Sequence, residues 1–68
     1  MEIREVLAAN IRRYRRSAGL SQEELAHRAG LDRTYISALE RRQYAASVDV
    51  LEKIAHQLGV TPADLLQR

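Results

Sequence analysis

Apolar residues recur at helical spacing along the first third of the chain. They follow one another at intervals of four, four, three and four positions, and they are Ile3, Leu7, Ile11, Tyr14 and Ala18. This spacing places them on one face of an α-helix, and Gly19 is a typical residue just beyond a helix end. The pattern therefore predicts one amphipathic helix that ends near Gly19, with Arg15 beside Tyr14 on its inward side.

Two shorter helices joined by a glycine turn are predicted next. Ser21 is a preferred N-cap, and Glu24 three positions later completes the pattern of a capping box. Gly30 falls where the first of these helices must end in a left-handed turn, and Asp32 caps the next one. The predicted inward-facing residues are Leu25, Ala26, Ala29, Ile36 and Leu39. The predicted outward face of the second helix consists of Arg33, Thr34, Ser37, Ala38 and Arg41.

The last third of the chain predicts two further helices. The loop sequence RQYAA is followed by Ser47, the expected N-cap of a fourth helix, which Gly59 ends. Thr61, Pro62 and Asp64 repeat the start signal, with a cap, a proline in the first turn and an acid at the third position. A short fifth helix follows from that signal. The predicted buried stripe of the fourth helix is Val48, Leu51, Ile54, Ala55 and Leu58.

The segment GLSQEELAHRAGLDRTYISALER resembles the helix-turn-helix of phage repressor and Cro proteins, the lambda-repressor-like DNA-binding domains. The resemblance places Ala26 at the helix crossing, Gly30 in the turn, and Ile36 and Leu39 as anchors of the recognition helix. It continues through NIRRYRRSAG before the segment and LEKIAHQLGVTPADLL after it. Within the segment, LDRTYIS resembles the controller proteins of restriction-modification systems, which are small dimeric regulators. The resemblance implies a compact five-helix domain in which helices 2 and 3 form the helix-turn-helix.

The sequence departs from that family in the loop after the recognition helix. Family members usually have a glycine directly after this helix and an Asn-Pro pair before the fourth helix. This chain has Arg42 at the first position and Ala45 and Ala46 at the others. Two roles are open for Arg42, which either extends the helix by a residue or two or reaches a DNA phosphate.

Arg33 is the predicted reader of a DNA base. The first turn of a recognition helix enters the major groove, where arginine can pair with guanine through two hydrogen bonds; a solvated or phosphate-bound arginine is the alternative. Thr34 and Ser37 can hydrogen bond or touch a thymine methyl group, and Ala38 offers apolar contact only. Tyr35 either covers the edge of the core or directs its hydroxyl to the DNA.

Gln22 is the predicted phosphate contact, since a helix N-terminus combines a side-chain amide with free backbone N–H groups. The alternative is an ordinary solvated residue. The full set of predicted DNA-contacting residues is Gln22, Arg33, Thr34, Tyr35, Ser37, Ala38, Arg41, Arg42 and Gln43.

Other arginines are assigned to the scaffold or to long-range attraction. The family resemblance implies that Arg15 pairs with Glu40 beneath the helix-turn-helix. The run of Arg12, Arg13, Arg15 and Arg16 must point in at least two directions on one helix, so a solvated face explains some of these residues. The alternative for Arg12, Arg13 and Arg16 is long-range attraction to phosphates, which would make binding salt dependent.

Composition narrows the class of protein. A chain of 68 residues is expected to form one all-α domain over residues 1–68 with a small core. The net charge is only +2, yet the pI is about 9.5, so any footprint on nucleic acid must be a local basic patch. There is no cysteine, and His27 and His56 lie on different helices, so we expect no metal. We also expect no cofactor and no small-molecule ligand, because a chain of this size is not expected to form a ligand-sized cavity. We also expect no enzymatic activity, because five short helices leave little room for a walled pocket.

No apolar run reaches the roughly 20 residues that span a bilayer, and the charged start MEIREVLAAN is unlike a signal peptide, so a cytoplasmic location without membrane contact is expected.

Leftover apolar residues near the C-terminal end predict a homodimer. Leu65 and Leu66 are adjacent and cannot both face one core, and Val50 lies off the stripe of the fourth helix. Small bundles without disulfides gain from burying such surface against a copy of themselves. Val50, Leu65 and Leu66 are therefore the predicted dimer contacts.

The sequence predicts a transcriptional regulator that binds a pseudo-palindromic double-stranded DNA operator as a homodimer, with a restriction-modification controller as the narrower identity. A phage or plasmid repressor, or an antitoxin that regulates its own promoter, is the alternative within DNA binding. A protein-interaction module that has lost DNA binding is the alternative from another class, and Arg33, Thr34 and Arg41 argue against it.

Overall fold

Five α-helices make up the regular structure of residues 2–68, the part of the chain that the computed structural model describes. They are α1 (Ile3–Ser17), α2 (Gln22–Ala29), α3 (Arg33–Glu40), α4 (Val48–Leu58) and α5 (Pro62–Leu65). No strand occurs within the described range. The predicted all-α class and the order of the five helices are therefore confirmed. Within the same range, no helix is long and apolar enough to cross a membrane.

Each helix begins at a residue whose side chain accepts a hydrogen bond from a free backbone N–H. Ser21 Oγ accepts from Glu24 N at 3.0 Å, while Ser21 N donates to Glu24 Oε1 at 2.9 Å. The predicted capping box of α2 is therefore present. Asp32, Ser47 and Thr61 cap α3, α4 and α5 as the sequence predicted. Together these caps fix where α2, α3, α4 and α5 begin, and α2 and α3 are the two helices of the helix-turn-helix.

The turn after α2 uses a left-handed residue to satisfy the last carbonyl groups of the helix. Gly30 has φ 69°; its N–H donates to His27 O at 3.2 Å, and the N–H of Leu31 donates to Ala26 O at 2.8 Å. This is the paired pattern of a Schellman turn. A glycine adopts the required φ at little cost because it has no Cβ.

The turn after α3 has the same geometry without a glycine. Arg42 has φ 65°; its N–H donates to Leu39 O at 3.1 Å, and the N–H of Gln43 donates to Ala38 O at 2.9 Å. The suggestion that Arg42 extends the helix is wrong, because α3 ends at Glu40 and the chain reverses at Arg42. The hydrogen bonds of the turn impose a conformation that costs an L-residue roughly 1–2 kcal/mol.

The core lies where α1, α2, α3, α4 and α5 meet. α2 packs against α3 and α4, while α1 packs against α3 and α5. The largest fully buried side chains are Ile11, Leu25, Ile36, Leu39, Ile54 and Leu65. The predicted inward faces of α2 and α3 are confirmed, since all five of their residues are buried.

Three residues assigned to inward faces are exposed instead. Ile3 is 43% exposed and Val48 is 80% exposed, although both fit the helical spacing. Each is the first residue of its helix, and side chains lean toward the helix N-terminus, so these two point past the start of the helix and away from the core. Ala18 is also exposed; it is the C-cap that follows Ser17, the last residue of α1.

The short α5 is held by a side chain that the sequence analysis did not single out. Asn10 of α1 is buried, and its Nδ2 donates to Leu65 O and to Gln67 O, both at 2.9 Å. These carbonyl groups lie at the end of α5, where no helical N–H is left to reach them. Asn10 thus joins the first and last helices through a buried polar contact.

Candidate DNA interface

The first turn of α3 presents two polar side chains to the outside. Arg33 and Thr34 are exposed, while Ile36 and Leu39 on the opposite side are buried. Asp32 Oδ1 accepts from Thr34 N at 2.7 Å, which fixes the start of the helix. Within residues 2–68 the guanidinium of Arg33 has no hydrogen-bond or ion-pair partner. All of its donors therefore remain available to a ligand.

Ser37 and Tyr35 lie at the borders of that outward face. Ser37 is half-buried one turn beyond Arg33. Tyr35 is half-buried and packs against the core, and its ring centroid lies 6.1 Å from that of Tyr44 with the planes tilted by 41°. Tyr35 thus covers the edge of the core. Its hydroxyl has no hydrogen-bond partner within the described chain, which leaves it available to an outside partner.

Ala38 does not belong to the exposed face, so the prediction that it contacts DNA is wrong. The residue is 2% exposed. The chain after α3 folds back over it, since Gln43 N donates to Ala38 O at 2.9 Å and Tyr44 packs on Tyr35, one helical turn before Ala38. Its methyl group is covered by the protein and cannot touch a base.

The carboxylate of Glu40 joins three helices beneath this face. Arg15 of α1 donates from Nε to Oε2 at 2.6 Å and from Nη2 to Oε1 at 2.9 Å. Gln22 of α2 donates from Nε2 to Oε1 at 3.2 Å. Arg12 donates from Nη2 to the backbone oxygen of Glu40 at 2.8 Å and has its Nε 3.5 Å from Oε1. The predicted pair of Arg15 and Glu40 is present, and the contacts of Gln22 and Arg12 are additional to it.

The charges of this cluster are mutually stabilised. Burial opposes ionisation of Glu40, but hydrogen bonds from Arg15 and Gln22 and the charges of Arg15 and Arg12 outweigh it and hold the pKa of Glu40 below its usual value. The hydrogen bond to Glu40 raises the pKa of Arg15. Glu40 is therefore an anion and Arg15 a cation at neutral pH.

A second group of polar side chains lies at the end of α3. Arg41, Arg42 and Gln43 are all exposed. Arg41 donates from Nε to Ser37 O at 3.3 Å, whereas the guanidinium of Arg42 has no hydrogen-bond or ion-pair partner within residues 2–68. Within residues 2–68, an arginine without an internal partner thus lies near each end of α3. Arg33 is its first residue, and Arg42 lies in the turn that follows it.

The basic run of α1 points in more than one direction, as predicted, but Arg12 is bonded to Glu40 and is neither simply solvated nor free for DNA. Arg12 and Arg15 face Glu40. Arg13 instead lies over the ring of Tyr14, 4.5 Å from its centroid, and donates to Asn10 Oδ1 at 3.3 Å. Arg16 is exposed.

The three predicted dimer contacts have different environments. Leu65 is 0% exposed, so the prediction that it is a dimer contact is wrong. Its side chain belongs to the core of its own chain and has no surface left for a partner. Leu66 is 36% exposed, and Val50 is half-buried. Leu66 also lines a shallow apolar groove together with Ile3, Leu7, Ala45, Ala46 and Leu51.

Neither histidine belongs to a metal-binding cluster. His27 and His56 lie near the C-terminal ends of α2 and α4. Within residues 2–68 there is no group of three or more His, Cys, Asp or Glu side chains that can hold a metal ion.

Comparison with known proteins places this geometry among related domains. A helix-turn-helix family model matches residues 11–65. A hypothetical transcription factor of Neisseria meningitidis serogroup B is 49% identical over 65 residues, covering 96% of this chain and 61% of that protein. Control protein C.SmaI of Serratia marcescens is 43% identical over 68 residues, covering 100% of this chain and 81% of the relative.

Solved structures show the same arrangement of helices. The crystal structure of the Neisseria factor aligns with a TM-score of 0.94 at 48% identity, over 97% of this chain and 76% of that one. The restriction-modification controller protein C.AhdI of Aeromonas hydrophila aligns with a TM-score of 0.88 at 37% identity, over 91% of this chain and 94% of that one.

Proposed function

Because this chain belongs to the helix-turn-helix family, we propose that it regulates transcription by binding a pseudo-palindromic DNA operator as a homodimer. The observation that carries the proposal is the exposed first turn of α3, where Arg33 has no partner within the described residues and Thr34 is free to approach a base. A helix with this surface on a helix-turn-helix scaffold fits the major groove of DNA. Regulation then follows from occupancy of a promoter-linked site and requires no catalytic step.

Arg33 is the proposed reader of guanine, through the paired acceptors N7 and O6. Thr34 and Ser37 are proposed to contact neighbouring bases, and the hydroxyl of Tyr35 to contact a base or a phosphate. Ala38 has no part in the interface, because its side chain is covered.

Gln22, Arg41, Arg42 and Gln43 are the proposed phosphate contacts. They flank the exposed face of α3, at the start of α2 and in the turn after α3. Contacts of this kind fix the register of a protein on the duplex but carry no base identity. Arg13 and Arg16 add long-range attraction, so binding should weaken steeply as salt concentration rises.

The proposed dimer uses the exposed apolar surface around the C-terminal part of the domain. Leu66 and the half-buried Val50 are its central residues. Ile3, which lines the same groove as Leu66, and Val48 are also exposed and add apolar area. Two-fold pairing sets two recognition helices about one DNA turn apart, roughly 34 Å. A pseudo-palindromic operator follows from that symmetry.

The likeness to C.SmaI and C.AhdI favours a restriction-modification controller over a phage or plasmid repressor or an autoregulating antitoxin. A protein-interaction module is less consistent with the surface, since exposed arginines at both ends of α3 suit phosphates and guanine. The proposed site of action is cytoplasmic DNA.

The operator can be found by selecting bound sequences from random duplexes and measuring their affinity by gel shift. We expect the selected site to have two half-sites about 10 base pairs apart. Recovery of no preferred sequence at any salt concentration would reject sequence-specific regulation.

Assembly is tested by Val50→Glu and Leu66→Glu. Each should give a folded monomer whose operator affinity falls about 100-fold or more, because linked half-sites no longer raise the effective concentration. Analytical ultracentrifugation and circular dichroism provide the measurements, and Glu52→Gln on the exposed side of α4 is the control. A wild-type protein that sediments as a monomer and binds one copy per operator would contradict the dimer.

A further inference from the structure

The side chain of Gln22, a proposed phosphate contact, is held by a hydrogen bond within the protein. It is the first residue of α2 and is half-buried. Its Nε2 donates to Glu40 Oε1 at 3.2 Å. The carboxylate that receives this bond is itself fixed, because Arg15 holds both of its oxygens at 2.6 and 2.9 Å.

The chemistry of the acceptor determines which way the Gln22 amide faces. An ionised carboxylate only accepts hydrogen bonds, whereas a side-chain amide has a donating end and an accepting end. Glu40 can therefore bind only the nitrogen of Gln22, and this excludes the flipped amide. One of the two N–H groups on Nε2 is used, and the second remains for another acceptor.

We propose that Glu40 is a positioning residue for DNA binding, holding the Gln22 amide so that its second N–H is ready for a backbone phosphate. This inference rests on the proposed function. An amide that is already oriented loses less rotational freedom when it binds. The ion pair of Arg15 and Glu40 then does more than link α1 to α3, because it also fixes the orientation of the Gln22 amide on α2.

The inference predicts energetic coupling between Gln22 and Glu40 in DNA affinity. Gln22→Ala in the otherwise unmodified protein should weaken operator binding on the order of 10-fold, the size expected for a hydrogen bond to a charged group. In a Glu40→Gln background the same change should cost much less. The glutamine that replaces Glu40 has one amide oxygen, which should stay with Arg15 Nε because that contact is the shortest. Its N–H₂ group then faces Gln22 and cannot accept a hydrogen bond from Gln22 Nε2, so the Gln22 amide is no longer held in the orientation that suits a phosphate.

Arg41→Ala is the matched control for this cycle. Arg41, the C-cap of α3, is also a proposed phosphate contact, but its side chain bonds to Ser37 O and not to Glu40. Its loss of affinity should be the same in both backgrounds. Circular dichroism at the binding temperature must show both backgrounds folded.

A second measurement needs neither DNA nor a variant. The Gln22 side-chain N–H that is bonded to Glu40 should exchange with solvent more slowly than the side-chain amide protons of Gln43 and Gln67, which are exposed. Exchange at equal rates would overturn the inference even if the Glu40→Gln protein fails to fold.

The outcomes separate the inference from the proposed function. An equal loss on Gln22→Ala in both backgrounds, with specific binding intact, rejects the positioning role and leaves the DNA-binding proposal standing. An unchanged affinity of Gln22→Ala removes Gln22 from the interface and rejects the inference as well. A protein that binds no duplex specifically rejects the proposed function itself.

Discussion

The two ends of α3 differ in what surrounds them. At the start, Arg33 and Thr34 are exposed, and within the described residues the guanidinium of Arg33 has no partner. At the end, Glu40 is 3% exposed and is bound by side chains from α1 and α2. One helix of eight residues thus combines an end whose side chains are free with an end whose last side chain is held by two other helices. Substitutions at the two ends should therefore change different quantities.

The largest effect is expected where the fixed end is broken. Arg15→Ala and Glu40→Ala each leave a buried charge without its partner, which should lower the free energy of unfolding by about 3–5 kcal/mol. The double variant should lose less than the sum, because no charge is then stranded. Urea denaturation measures all three. Strictly additive losses would show that the two side chains do not interact in solution.

The free end should respond in the opposite way. Arg33→Ala is expected to reduce affinity for the selected operator by about 1–3 kcal/mol and to relax preference at one base pair in each half-site. Its free energy of unfolding should stay within about 0.5 kcal/mol of the wild type, as for other exposed sites. Gel shifts on base-substituted operators and urea denaturation give the two values. Equal weakening on every sequence would reassign Arg33 to a phosphate.

Arg42 sharpens the comparison because stability and binding should change in opposite directions there. Arg42→Gly relieves the left-handed conformation, and after subtracting the greater freedom of glycine in the unfolded chain it should stabilise the fold by about 0.5–1 kcal/mol. Operator affinity should fall, since the guanidinium is lost. Arg42→Ala is the control, because it removes the charge but keeps the strained φ. Higher affinity in the glycine variant would exclude a phosphate contact by Arg42.

The effect of acid concerns the fixed end again. The pKa of Glu40 is lowered in the folded state, so its contribution to stability is complete above the unfolded pKa of about 4.3 and is lost as pH falls through the folded pKa. Glu24 and Asp32 also have lowered pKa values, owing to backbone hydrogen bonds at their caps, and act in the same direction. Urea denaturation at a series of pH values below about 5 should show a shallower loss for Glu40→Gln than for the wild type. An identical slope would show that Glu40 does not contribute.

Local signals in the sequence were sufficient to predict the helices and the family. Ser21, Glu24 and Gly30 act on backbone groups within a few residues, so their roles follow from spacing alone. The resemblance to helix-turn-helix regulators and to controller proteins is confirmed by the family model and by C.SmaI. The DNA contacts of individual residues remain predictions.

Features that depend on distant parts of the chain were missed or wrong. Ala38 fits an outward helical position, yet the returning loop covers it. Leu65 fits an interface as well as a core, and only the packing of α5 decides between them. The bonds from Asn10 to Leu65 and from Gln22 to Glu40 join residues 55 and 18 positions apart, and no periodicity in the sequence carries that information.

The bond from Asn10 also bears on the order in which the domain folds. Four residues are too few to form a helix alone, because nucleation is costly, so the order of α5 depends on its packing against α4 and α1 and on the bonds from Asn10. Because α5 is short and part of its support comes from a residue 55 positions away, it is expected to dock late and to open early in native-state fluctuations. Leu66, central to the proposed dimer, lies between the two carbonyl groups that Asn10 binds. The surface of the proposed dimer is thus expected to be complete only after α5 has docked, so assembly should follow folding of the monomer.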